Sequence, residues 1–218
     1  MTDEHMSLFD AIHSQRAIRH FSEQSVSDET IETILNAAIR APSGGNRQPW
    51  RFIVIQDADI KRRLGQWYLS AWQAATADME TLSQAYRHGA ELAQQMETVP
   101  VLILACIDHG EAGTGLGPIT RGASIYPAVQ NLMLAARALG LGTVLTTLHM
   151  QYEREIKAFL NIPDTVETAA LIPVGYPAEA AGFGHARRLP LSEVVFHERW
   201  SRSIKNTVCA DGIVLKGM

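Results

Sequence analysis

The chain has 218 residues, of which 46% are hydrophobic and 19% are charged, and its net charge is −4. This composition argues against intrinsic disorder, and without an excess of Lys and Arg it argues against a broad nucleic-acid-binding surface. Two cysteines, Cys106 and Cys209, make no disulfide framework, and no apolar run has the length of a membrane span, so we expect one domain over residues 1–218 in the cytoplasm.

The N-terminal part of the chain combines helical and extended patterns. Ser27 can cap a helix, and Asp28 and Glu29 lie in its first turn, where the helix dipole favours negative charge. The elements predicted here are helices over residues 7–19 and 28–40, a loop over 42–49, a strand over 50–56 and a helix over 58–66. Residues 67–97 show no clean apolar stripe, which predicts helical pieces connected around His88–Gly89.

The C-terminal part alternates strands and helices. The elements predicted here are strands over residues 101–107, 142–148 and 168–176, helices over 123–139 and 152–160, and a Gly-rich loop over 111–118. Gly140 is typical of a helix stop, and Pro173 indicates an edge strand or a bulge. The helix over 123–139 is apolar nearly all round, which predicts a central core helix or a dimer-interface helix. The pattern favours a mixed α and β domain around one sheet.

Three polar clusters are candidates for a binding site. They are Gln15, Arg16, Ala17 and Arg19; Pro42, Ser43, Gly44 and Asn46; and Arg187 with Arg188. Arginine binds phosphate bidentately, and glycine lets a backbone approach a flat ligand closely. Each cluster also has an ordinary interpretation: a solvated helix end, a turn and a surface pair, respectively.

Other kinds of site find little support in the sequence. Gly113, Gly115 and Gly117 lack the strand–turn–helix context of a dinucleotide fingerprint. The histidines show no ligand spacing, so we expect no metal. No serine elbow and no cysteine with a visible base partner supports nucleophilic catalysis. Thr146 and Thr147 follow strand-like residues, and their hydroxyls could bind a ligand heteroatom.

Five segments taken together resemble the FMN-dependent nitroreductase family in order and spacing. They are SQRAIRHF at residues 14–21, APSGGNRQPWRFIVI at 41–55, GASIYPAVQNLMLAARALGLGTVLTTL at 122–148, PVGYPAE at 173–179 and RRLPLSEVV at 187–195. The resemblance spans nearly the whole chain. It implies an α+β fold in which helices flank a mixed central sheet, in an intertwined homodimer with two FMN sites across its interface.

The resemblance also implies the cofactor-binding residues. The family segment that holds the flavin corresponds here to Gln15, Arg16, Ala17 and Arg19, and the family loop that reaches the flavin from the partner subunit corresponds to Pro42, Ser43, Gly44 and Asn46. The family segment near flavin N5 corresponds to Thr146, Thr147 and Leu148. The family phosphate site corresponds to Arg187 and Arg188. Gln15 and Ala17 stand where the family usually has arginine and serine, and Arg47 stands where a small polar residue is common. Residues 67–97 match no family segment, so we expect a lid that sets substrate choice.

The resemblance implies an FMN-dependent oxidoreductase that takes hydride from NADH or NADPH and reduces nitroaromatics, quinones or related acceptors by a ping-pong mechanism. The flavin supplies this chemistry, so we expect no catalytic side chain. Two other hypotheses stay open: a reductive dehalogenase or flavin-cleaving branch of the family, and a non-catalytic FMN-binding or storage protein. No nucleic-acid or membrane partner is expected, and the tail over residues 200–218 is predicted to wrap the partner subunit.

Overall fold

The computed structural model describes residues 6–110, 120, 122–179 and 181–200, the side chain of Ala85 excepted. The chain divides into two compact units, residues 1–185 and residues 186–218. The predicted loop over 111–118, Cys209 and the predicted tail beyond Trp200 lie outside the described residues.

The first unit contains the sheet and the longer helices. Its helices are α1 (Leu8–Ser14), α2 (Asp28–Ala38), α3 (Ala58–Thr76), α4 (Gln84–Gln95), α5 (Ile125–Ala138) and α6 (Glu153–Phe159). Its strands are β1 (Trp50–Ile55), β2 (Val101–Asp108), β3 (Gly142–Thr143) and β4 (Val166–Gly175), and its 3-10 turns are Gly44–Asn46, Met96–Thr98 and Leu148–Tyr152. Helix α7 (Leu191–Val194) belongs to the second unit. None of the described helices has the length and hydrophobicity that a bilayer crossing requires.

The four strands form one sheet in the order β1-β2-β4-β3, and neighbouring strands run antiparallel. All residues from Val101 to Ile107 are buried, as the continuous apolar run of β2 predicts for a strand covered on both faces. A bridge between Ala17 and Thr143 adds a parallel element to this sheet. The α+β class with one central sheet is therefore confirmed, whereas the four strands pair only antiparallel and the parallel pairing is limited to this isolated bridge among the described residues.

Local signals in the sequence determine where several elements begin and end. The Ser27 hydroxyl accepts a hydrogen bond of 3.2 Å from the Thr30 N–H, so the predicted cap of α2 is confirmed. Gly140 follows α5 with a φ of +78°, a left-handed conformation that costs glycine nothing, so the predicted helix stop is confirmed.

Helix α5 lies in the core of the first unit. Its buried residues are Ile125, Ala128, Val129, Leu132, Met133 and Ala136. It packs against α2, which buries Ile31, Ile34 and Ala38 in the same cluster. The sequence predicted either a central core helix or a dimer-interface helix, and within the chain α5 is a central core helix.

The prediction for residues 67–97 was wrong about where the chain bends. Helix α3 continues to Thr76, and His88–Gly89, predicted as a connection, lies in the middle of α4. Gly89 is buried because the Trp72 ring packs directly on it. This glycine therefore permits a close contact between two helices instead of a chain reversal.

Two strand predictions were also wrong. The strand predicted over residues 142–148 ends at Thr143, and the chain then makes only a single bridge, from Thr146 to Leu171, before the 3-10 turn. Pro173 marks neither an edge strand nor a bulge, because β4 lies between β2 and β3 and the register shift between β2 and β4 lies at Ala105/Cys106, away from the Leu102–Pro173 pair. It is tolerated because β3 stops at the pair Thr143–Val174, so the missing Pro173 N–H interrupts no ladder there.

Candidate active site

The arginine-rich segment after α1 packs alongside β3. Helix α1 ends at Ser14, earlier than the sequence predicts, and the chain continues as extended backbone. The Ile18 N–H donates a hydrogen bond of 3.0 Å to the Thr143 carbonyl, and Ile18 itself is buried. This contact joins two segments that lie far apart in sequence, and it places Arg19 next to the residues that follow β3.

Arg19 and the residues after β3 line a cavity of about 330 Å³ in the first unit. Its far wall comes from α3 and α4 and is largely aromatic and apolar. The lining residues are Arg19, Tyr68, Trp72, Ala75, Thr76, Met79, Tyr86, Gly89, Leu92, Val144, Leu145, Thr146, Thr147 and Leu148. A mainly apolar pocket with few directed polar groups is the usual form of a small-molecule or cofactor site.

Polar groups of the cavity are concentrated where Arg19, Tyr68 and Thr146 meet. The Thr146 hydroxyl donates a hydrogen bond of 2.7 Å to the Leu171 carbonyl, which fixes its orientation. Burial raises the pKa of Tyr68, while the Thr146 hydroxyl and the Arg19 charge act in the opposite direction. Tyr68 therefore presents a neutral hydroxyl, which can donate a hydrogen bond, at neutral pH.

The other predicted residues of the arginine-rich segment do not line this cavity. The Gln15 amide nitrogen lies 4.0 Å from the Met133 sulfur, Ala17 forms the bridge to Thr143, and Arg16 is exposed. Of the first predicted cluster, the structure brings only Arg19 to the cavity wall.

The predicted loop that contains Pro42, Ser43, Gly44 and Asn46 is mostly exposed and also lies outside the cavity lining. Gly45 and Asn46 have φ values of +60° and +53°, so the left-handed conformation is adopted here by a non-glycine residue as well. The Ser43 hydroxyl accepts a hydrogen bond of 3.1 Å from the Gln48 N–H. Such conformations are frequent in ligand-binding loops.

Arg187 and Arg188 belong to the second unit, in an extended stretch before α7. Both side chains are exposed, and the Arg188 guanidinium donates a hydrogen bond of 3.2 Å to the Arg187 carbonyl. Their role remains a prediction from the sequence.

The aromatic wall of the cavity was not among the residues predicted from the sequence. Tyr68, Trp72 and Thr76 recur every four residues along α3, and they appear as one face once the helix predicted over 58–66 is extended. On α4, Tyr86 and Gly89 lie on one face at a spacing of three residues. The sequence pattern did not single out these residues, because Tyr68 and Trp72 also pack in the apolar core, and periodicity alone does not show which core residues line a cavity.

His149 is a further polar residue whose environment the sequence did not reveal. It lies in the 3-10 turn after Leu148, is 1% exposed, and neither of its ring nitrogens has a hydrogen-bond partner among the described residues. Burial lowers the pKa of His149 to about 4, although the Glu153 charge acts against this shift. The imidazole is therefore neutral in the folded protein at neutral pH.

Comparisons with known proteins agree with this architecture. The family model described as the nitroreductase family matches residues 12–176. A protein of Archaeoglobus fulgidus, provisionally named NADH dehydrogenase/NAD(P)H nitroreductase, is 29% identical over 191 residues, which are 87% of this chain and 96% of that protein. Iodotyrosine deiodinase 1 of Sus scrofa is 28% identical over 210 residues and covers 89% of this chain and 70% of its own length.

A solved structure of oxidized iodotyrosine deiodinase bound to FMN and 3-iodo-L-tyrosine has a TM-score of 0.69 at 24% identity. It covers 88% of this chain and 99% of its own, and this likeness shows the shared fold. The family model extends from α1 to the end of β4 and so includes both the arginine-rich segment and the residues after β3 that line the cavity. The chain therefore belongs to the nitroreductase family.

Proposed function

We propose that the chain is an FMN-dependent oxidoreductase of the cytoplasm that takes hydride from NADH or NADPH and reduces nitroaromatic, quinone or related acceptors by a ping-pong mechanism. The observation that carries this proposal is the cavity in which Arg19 and Thr146–Leu148 face an aromatic wall. These are residues that the family resemblance assigns to the flavin, and they come together from distant parts of the chain.

The lining of the cavity suits an isoalloxazine ring. A flat tricyclic ring needs an apolar slot with a few directed polar groups, and the cavity offers the Arg19 guanidinium and the Thr147 hydroxyl beside Trp72 and Tyr86. The Thr146 hydroxyl already donates to the Leu171 carbonyl, so it would act towards a ring as an acceptor. FMN also carries a phosphate dianion, for which Arg16, Arg187 and Arg188 would supply fixed positive charge.

The loop that contains Pro42, Ser43, Gly44 and Asn46 would complete the site of a partner subunit in a homodimer. Residues 44–48 of this loop are exposed, and the loop does not line the cavity of its own chain. An apolar surface on α1 supports this assembly, because Leu8, Phe9 and Ile12 are 63%, 58% and 46% exposed. Exposed apolar patches of this kind are typical of protein interfaces.

In this proposal bound FMN would supply the redox chemistry, which is hydride transfer from the donor and electron transfer to the acceptor. The side chains bind and orient the ring. Arg19 would favour the negative charge of reduced flavin, which raises its reduction potential. The Tyr68 hydroxyl of α3, which is neutral at neutral pH, would be a further hydrogen-bond donor towards the ring.

The test is the visible absorption spectrum of the purified protein, reconstituted with FMN and then reduced anaerobically with NADPH or NADH. We expect an oxidized flavin spectrum that bleaches with at least one donor and recovers on addition of a quinone. A protein that binds no FMN would contradict the proposed cofactor. A flavin spectrum that neither donor bleaches would contradict NAD(P)H dependence and favour a storage protein.

Reductive dehalogenation is a second candidate function. It is supported by the similarity to iodotyrosine deiodinases over most of the chain and by the Thr146–Thr147 pair at the cavity. Release of iodide from 3-iodotyrosine by the chemically reduced, FMN-loaded protein would support this candidate. Reduction of a quinone without any iodide release would support the nitroreductase-like activity instead.

A further inference from the structure

Three potential metal ligands converge on one point beside the cavity. The Nε2 atom of His20 lies 3.2 Å from the Nδ1 atom of His88 and 3.0 Å from the Oε2 atom of Glu91. The distance from His88 Nδ1 to the same Glu91 oxygen is 3.2 Å. His20 directly follows Arg19, whereas His88 and Glu91 lie one turn apart on α4, so the cluster joins two walls of the cavity.

Hydrogen bonds cannot satisfy all three contacts at once. If both imidazoles donate to Glu91, two N–H groups face each other across the His20–His88 contact. If one imidazole donates to the other instead, the acceptor lone pair of the second imidazole faces the Glu91 carboxylate, at 3.2 Å for His88 and at 3.0 Å for His20. A single cation among the three atoms removes this conflict, because each atom then directs a lone pair to the same centre.

The spacing and the ligand types fit a transition-metal ion. Zinc binds histidine nitrogen and carboxylate oxygen at about 2.0–2.1 Å, and neighbouring ligand atoms of a tetrahedral site are then about 3.3 Å apart. The three observed distances of 3.0–3.2 Å are close to that edge length. Two histidines and one glutamate are also a known ligand set for zinc, with a fourth position open to water.

We propose that His20, His88 and Glu91 bind a divalent transition-metal ion such as zinc, and that the ion fastens α4 to the segment that carries Arg19. The His20 and Glu91 side chains are 34% and 48% exposed, so the site is accessible to ions from solvent. The sequence predicts no metal site, because His20 and His88 are 68 residues apart and only the fold brings them together. This inference does not depend on the proposed redox activity.

The test is zinc titration by calorimetry of the tag-free, FMN-treated protein after removal of metals by a chelator. We expect one zinc ion per chain, with the affinity reduced at least about tenfold in His88→Ala and in Glu91→Gln. The matched control is His197→Ala, which removes an exposed histidine outside the cluster and should bind zinc as the unchanged protein does.

A second measurement keeps the test decisive if a variant folds poorly. Cobalt substituted into the unchanged protein should give the visible absorption of a tetrahedral site, and zinc in equimolar amount should displace it. The absence of saturable zinc binding, or equal zinc affinity in the unchanged protein, His88→Ala and Glu91→Gln, would overturn the proposal and leave a purely hydrogen-bonded cluster.

Discussion

Gly142 lies so close to Ile18 that no side chain fits between them. A Cβ atom at Gly142 would come within 2.7 Å of the Ile18 Cβ and Cγ2 atoms, closer than real Cβ contacts allow. The neighbouring backbone bond from the Ile18 N–H to the Thr143 carbonyl measures 3.0 Å. The absence of a side chain at Gly142 therefore lets the arginine-rich segment approach β3 and positions Arg19.

Gly142→Ala should displace Ile18 and with it Arg19. We expect a loss of about 1–3 kcal/mol in the free energy of unfolding, which is the usual cost of overpacking, together with weaker FMN binding. Thermal unfolding and flavin titration measure the two effects. The control is Gly182→Ala, because a Cβ at Gly182 meets nothing within 4 Å. Equal stability of the two variants would contradict this account of Gly142.

Gly89→Ala should alter acceptor binding, because it displaces a side chain of the cavity from the segment predicted to set substrate choice. A Cβ at Gly89 would lie 2.4 Å from the Trp72 ring, which lines the cavity, so the indole must move. We expect the KM for a quinone to change about tenfold and the Trp72 fluorescence to shift, because small displacements in a site have large effects.

The matched control for that experiment is Gly65→Ala in α3. A Cβ there would make a contact of 3.4 Å with Met96, and neither residue lines the cavity, so the KM should stay the same. If Gly89→Ala leaves both the KM and the fluorescence unchanged, α4 does not shape the acceptor site.

Arg188→Ala should weaken FMN binding at least about tenfold, since a charge-assisted hydrogen bond contributes about 1.5–3 kcal/mol. Flavin titration by fluorescence quenching measures the dissociation constant. Arg199→Ala is the control, because Arg199 is another exposed arginine of the same unit to which no role is assigned. An identical dissociation constant in both variants would remove Arg188 from the proposed phosphate site.

His149 should make the protein less stable in mild acid. Its pKa is about 4 in the folded chain and 6.5 in the unfolded chain, so protons bind preferentially to the unfolded state. Above pH 6.5 His149 is neutral in both states and does not lower the free energy of unfolding. As the pH falls from 6.5 towards 4, protonation of the unfolded state lowers the free energy of unfolding, by about 3 kcal/mol in total.

The measurement for His149 is chemical unfolding at several pH values between these two pKa values. His149→Leu removes the titrating group and should show a smaller loss of stability with falling pH. His185→Leu, the same change at an exposed histidine, should follow the unchanged protein. A pH dependence in His149→Leu as steep as that of the unchanged protein would rule out His149 as its source.

Local signals in the sequence were sufficient for much of the fold. The Ser27 cap, the Gly140 stop and the apolar run of β2 depend on neighbouring residues or on burial of a whole segment, and all three were confirmed. The family was also recognisable, because its motifs are contiguous stretches whose order survives at low identity.

Only the tertiary structure decided which of those residues share a site. Arg19 lies beside Thr146 because Gly142 has no side chain and so lets Ile18 pack against it. The aromatic wall of α3 lines a cavity, and the periodicity of a sequence is the same for residues that line a cavity and residues that pack in a core. His20 and His88 are 68 residues apart in sequence, and only the packing of distant segments brings them together. Motifs and caps are properties of neighbours along the chain, whereas cavities and ligand clusters depend on contacts that form when distant segments pack.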